Sequence, residues 1–153
     1  MENVIVDNKN HFTEYLKPSE PLYPCNAVEE KYKGSCYLMQ TSYMLKVLDE
    51  DFSKVFELCG KADAKYVATC YQSLGRDASG HSSSNAEITK NTCGLGKNFD
   101  ARSNCVIGAV KDFISYFHSD IQVRKLCDSL SDDLKNVCLT TTKGYYNPQT
   151  FGL

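Results

Sequence analysis

Leu58-Cys59-Gly60-Lys61-Ala62-Asp63-Ala64-Lys65-Tyr66-Val67-Ala68-Thr69-Cys70-Tyr71-Gln72-Ser73-Leu74-Gly75 is the stretch that decides the fold. One cysteine ends an apolar run at a glycine. A second cysteine, 11 residues on, opens the next apolar run. The arrangement recurs along the chain. Cys25, Cys59, Cys93 and Cys127 are each 34 residues apart, and Cys36, Cys70, Cys105 and Cys138 follow at 34, 35 and 33. A fixed period of this size marks a repeat architecture. The residue after the second cysteine is Tyr37, Tyr71, Val106 or Leu139, and the residue four before it is Tyr32, Tyr66, Ala101 or Leu134. The short gaps read as polar turns and the long gaps carry the helical apolar pattern. The expected fold is all-α, a short solenoid of about four helix-turn-helix repeats. No single hairpin can bury its own apolar face, so neighbours must stack.

The number of cysteines is even, and the alternating gaps leave two sensible pairings. The local scheme joins Cys25–Cys36, Cys59–Cys70, Cys93–Cys105 and Cys127–Cys138. The other joins successive repeats, as in Cys36–Cys59. The local scheme is favoured. A cysteine closing one helix and a cysteine opening the next flank one turn, where Cα atoms approach the roughly 5.5–6 Å a disulfide needs.

Composition bounds the rest. The net charge of −2 and pI of about 5.9 give no nucleic-acid footprint. No apolar run reaches the roughly 18 residues of a membrane span. Paired cysteines imply an oxidising compartment. Met1–Asn8 lacks the basic flank and apolar stretch of a secretory signal. The two are reconciled by a mature or trimmed chain carrying an added start methionine.

Along the chain, residues 1–24 read as an N-terminal arm: a short strand or a helical turn, then an extended lead-in at 17–24 imposed by Pro18, Pro21 and Pro24. Residues 25–143 hold the four stapled hairpins. Helical periodicity begins at Ser35 and runs through Tyr37, Leu38, Thr41, Leu45 and Leu48. Asp51 caps a helix that stops at Gly60, and Asp63 caps one that reaches Gly75. Gly75–Asn85 reads as a polar loop. Repeat three has one extra residue in its turn, and Asp100 opens its long helix. Ser131 or Asp132 caps the last helix, and 144–153 reads as an irregular tail whose Tyr145, Tyr146 and Phe151 fold back on the core.

Cys70-Tyr71-Gln72-Ser73-Leu74-Gly75 is similar to the opening of the second helix in the Sel1-like repeats of the Helicobacter cysteine-rich proteins. The resemblance covers 25–153 as architecture. It implies helical hairpins stapled near the turn, secretion, and protein or peptide binding, with hydrolase or β-lactam-binding activity as the alternative. The cysteine gap is longer here than in that family, and the period is shorter. The paired cysteines also resemble the coiled-coil-helix-coiled-coil-helix proteins of the mitochondrial intermembrane space, which implies a structural subunit there. Gly34, Gly60, Gly94 and Gly96 suit turns better than the helix interiors that class would need.

Chemistry-bearing motifs are few. No Cys-x-x-Cys pair suggests zinc. Arg76, Asp77, His81 and Ser82 crowd one segment, but a Ser-His-Asp site is defined by geometry rather than by proximity in sequence. No cofactor, metal or catalytic residue is assigned. The candidate binding surface is Tyr32, Tyr66, Tyr71, Arg76, Asp77, His81, Tyr116 and His118, a tyrosine-rich face suited to a protein or peptide partner or to self-association. The expected function is that of a non-enzymatic, secreted or periplasmic repeat protein.

Overall fold

The computed structural model describes residues 17–146. The strand or turn expected within 1–16 and the end of the tail, 147–153, lie outside the described residues. Among those described, all regular structure is helical: α1 (Glu30–Val47), α2 (Phe52–Gly60), a 3-10 turn (Ala64–Tyr66), α3 (Val67–His81), α4 (Ala86–Cys93), α5 (Phe99–Phe117), α6 (Ile121–Ser129) and α7 (Asp132–Tyr145). All eight cysteines are paired in the local scheme, with Cα–Cα distances of 5.4 to 5.5 Å. Every staple is buried.

Side chains start three of the helices, at Asp51 as the sequence suggests and at two asparagines it does not single out. Asp51 accepts from the Lys54 N–H, Asn85 from Ile88 and Asn98 from Ala101, each closing an otherwise open first turn. Asn98 caps α5, which begins at Phe99, one residue before the start expected at Asp100. Ser131 stands at the N-cap of α7 and Asp63 at that of the 3-10 turn, but neither makes a side-chain cap bond.

Three expectations are corrected. Residues 17–24 form consecutive turns, not an extended lead-in: Glu20 N–H bonds Lys17 O, and Tyr23 N–H bonds Glu20 O, both at 2.9 Å. The helix expected from Ser35 begins at Glu30 and passes through Gly34. Most of the loop expected over Gly75–Asn85 is the second half of α3, with only 82–85 as a turn. In both helices packing outweighs glycine's propensity, a difference of roughly 1 kcal/mol per residue. Gly34 lies beneath the Tyr66 ring. Leu74, Ala78 and Ser79 put one face of α3 in the interior.

The chain divides into two compact units, residues 1–74 and 75–153, with the boundary inside α3. In the first, Cys25, Cys36, Tyr37, Ala62 and Tyr66 form a buried cluster edged by Leu22, Val28 and Val67. Gln40 fixes the turn segment to α1, its amide donating to Pro21 O at 2.8 Å and Tyr23 O at 2.9 Å. Thr41 and Ser73 join α1 to α3 by a buried hydroxyl pair at 2.6 Å.

In the second unit, α4 packs on α5 and α6, while α5 packs on α6 and α7. First helix thus lies on first helix and second on second, so two successive hairpins stack. Val106, Ala109, Val110, Phe113 and Ile114 of α5 meet a core that includes Val123, Leu126 and Leu130.

Candidate functional site

Two repeat positions recur beside each staple: three residues before the first cysteine and one after the second. In the α2–α3 hairpin these are Phe56 and Tyr71, whose rings fill the space with centroids 6.0 Å apart. In the α4–α5 hairpin the same positions hold Lys90 and Val106, and in α6–α7 they hold Arg124 and Leu139. A cation and one aliphatic side chain do not fill what two aromatic rings fill. The α4–α5 position borders a hollow of about 280 Å³ walled by Lys90, Asn91, Cys93, Gly94, Leu95, Val106, Leu130, Ser131 and Leu134. The α6–α7 position borders one of about 400 Å³ walled by Asp120, Arg124, Leu139, Thr142, Lys143 and Tyr146.

A second surface lies at the C-terminal ends of α5 and α7. Tyr116 is 72% exposed and meets Phe117 edge-on at 4.9 Å, and Phe117 in turn meets Phe113. Ser115 Oγ lies 3.1 Å from the Tyr145 hydroxyl, and the Lys111 ammonium stands 6.0 Å from the Tyr145 ring. His118 ends α5 in a left-handed conformation, and its exposed neighbour in sequence beyond the turn is Ile121. Exposed aromatic rings flanked by a lysine are the composition of a protein-contact surface.

The residues expected to form one tyrosine-rich face fall into two groups. Tyr32, Tyr116, His81 and His118 are exposed, and Arg76 is half-buried. Tyr66, Tyr71 and Asp77 are buried, so they serve packing. Tyr66 stacks on Tyr37 at 5.5 Å and donates its hydroxyl to Glu30 at 2.5 Å. That bond, then the Lys65 ammonium, holds Glu30 below the usual carboxylate range. His81 Nδ1 is 2.9 Å from the backbone carbonyl of Asp77, one helical turn back. Ser82 Oγ engages Ser79 O and the Thr89 hydroxyl. These contacts finish α3 and begin α4. Tyr145, Leu95 and Lys90 were missed as candidates. Leu95 alone left a legible signal: it is a large apolar residue where the other turns have Ala27, Lys61 and Ser129.

Among the described residues, no group of three or more His, Cys, Asp or Glu could hold a metal ion. No described helix is long and apolar enough to cross a membrane. Four disulfides fit an extracytoplasmic, oxidising compartment. Fold and surface together define a disulfide-stapled, all-α protein. Comparison with protein-family models, curated proteins and solved structures gives no match.

Burial pushes the Tyr37 phenol upward, helped by the nearby Asp63 carboxylate, and burial does the same to Tyr43. The hydrogen bond to Glu30 raises Tyr66. A phenol raised in the folded state favours folding fully below the unfolded value near 10, and loses that contribution as pH rises through its folded value. The denaturation midpoint is therefore expected to fall as pH rises above about 10, the unfolded value. Spectrophotometric phenolate titration should show a late component that shrinks in Tyr37→Phe. A titration curve unchanged by that substitution would refute the assignment.

Proposed function

We propose that this chain is a non-enzymatic, extracytoplasmic helical-repeat protein whose four disulfide-stapled units, three of them helical hairpins, form a short solenoid that binds a protein or peptide partner. The staples support secretion or periplasmic residence, since disulfides persist where thiols are not kept reduced. The stacking of α4 on α6 and of α5 on α7 supports the solenoid. The observation that carries the binding reading is the Tyr116–Phe117–Tyr145 cluster. Tyr116 is held in the open by the end of a helix whose other face is core. Large rings on rigid helices bury much area at little cost in side-chain freedom.

Two measurements test this. Sedimentation of the purified oxidised protein over a wide concentration range reads self-association directly. Photo-crosslinking from position 119, beside the cluster, in the source cell's extracytoplasmic fraction identifies another protein in contact. The double variant Tyr116→Ser/Tyr145→Ser is expected to weaken whichever association is found by at least about tenfold. Unchanged association in that variant would remove the surface from the reading. A monomer that acquires no specific crosslink would remove the reading itself.

A further inference from the structure

We infer that the hollow beside Lys90 receives the C-terminal residue of a peptide, its apolar side chain inside and its carboxylate on the lysine. This names the partner's chemistry within the peptide-binding reading and rests on it, though it uses a different surface from the aromatic cluster.

The argument comes from comparing the hairpins with one another. Arg124 and Lys90 occupy the same repeat position, three residues before the first cysteine. In the α6–α7 hairpin the cation is already satisfied: Arg124 Nε lies 2.8 Å from the Asp120 carboxylate, four residues earlier on the helix. The residue four before Lys90 is Ala86. Glu87, three residues before Lys90, is the acidic residue of α4, but no ion pair joins the two; the carboxylate four residues back is missing in the one hairpin whose hollow also has an extra apolar wall. Leu95 supplies that wall, 48% exposed, from the turn that carries the extra residue. It faces a hollow also lined by Val106, Leu130 and Leu134. The site therefore pairs an apolar interior with a cation for which the helix provides no counter-charge at the equivalent position. An occupant must bring both an apolar group and an anion.

Size decides the kind of occupant. Pockets that enclose whole small ligands run from roughly 300 to 1,000 Å³. At about 280 Å³, at the lower edge of that range, this one has room for a terminal residue's side chain and carboxylate, with the rest of a longer ligand outside. A peptide's last residue meets that description, since its carboxylate adjoins its side chain and the chain leaves in the other direction. Rigidity favours the same occupant. One wall is tied by Cys93–Cys105, and the facing turn by Cys127–Cys138, so little ordering is lost on binding.

The test uses the full oxidised protein and a hexapeptide with a fluorescein at its N-terminus and Leu or Phe at its C-terminus, read by anisotropy. The free-carboxylate peptide is expected to bind saturably, and its C-terminal amide about tenfold more weakly. Lys90→Gln should cost the carboxylate peptide a similar factor and leave the amide unchanged, which a merely structural effect of the substitution would not do. Ala86→Asp removes no wall residue and restores the pairing seen in the last hairpin. It should weaken the carboxylate peptide about threefold or more. Equal binding of acid and amide, or of wild type and Lys90→Gln, overturns the assignment. Loss of the Lys90 dependence while Tyr116→Ser/Tyr145→Ser still abolishes partner association would sink this site alone. Loss of both would sink the peptide-binding reading as well.

Discussion

Reduction of all four disulfides is expected to abolish the fold at 37 °C. Each staple closes a loop of 11 or 12 residues. In the chain-entropy account each constrains the unfolded state by on the order of 3 kcal/mol. Four together approach the roughly 5–15 kcal/mol that is the whole stability of a typical domain. The short helices add to the dependence. α2, α4 and α6 have 9, 8 and 9 residues, well below the roughly 12–15 at which an isolated helix is even marginal in water. Each also ends at or near its staple cysteine. Circular dichroism at 222 nm, before and after reduction and thiol trapping in mild denaturant, should show most of the helical signal lost. Retention of the oxidised protein's signal and melting temperature would refute this. Removing one staple by Cys59→Ala with Cys70→Ala should cost about 3 kcal/mol.

Gly75→Ala is expected to be nearly as damaging as losing a staple. A Cβ at position 75 would stand 1.9 Å from the backbone oxygen of Cys105 and 3.0 Å from the Ala109 nitrogen. Backbone cannot step aside as a flexible side chain can, so α3 and α5 would have to separate. A loss of about 3 kcal/mol is expected, at the upper end for overpacking. Gly80, five residues along the same helix, supplies the control. A Cβ there meets nothing within 4 Å. Gly80→Ala should therefore raise stability by about 0.5–1 kcal/mol through helix propensity alone. Urea unfolding of the two variants reads the contrast. Opposite signs are expected, and equal effects would remove the close-approach account.

The cysteine period made the staples legible because a disulfide imposes a narrow distance on two chain positions. It also located each hairpin turn. The helix limits were less legible for a physical reason. Gly34, Gly75 and Gly80, with Ser79, mark a chain that favours turns when read locally. Whether those residues are helical depends on what lies beside them, as the Cys105 carbonyl lies beside Gly75. The tyrosines divided for the same reason. Tyr66 and Tyr116 are alike in sequence terms, yet one stacks on Tyr37 and the other stands clear. The Lys90 hollow could be seen only after the hairpins were aligned, because its signal is a substitution between repeats rather than a motif within one.

The placement of the staples also decides how the molecule would answer a protease. Lys61 and Lys97 are exposed, and each lies between two bonded cysteines. A single cut beside either leaves both pieces covalently joined, so the nicked chain keeps its mass until it is reduced. A cut at Asp49–Glu50 or within 82–85 falls between hairpins and releases a fragment at once. Resistance to peptidases is thus uneven along the backbone, and it is weakest in the connectors that no cystine spans.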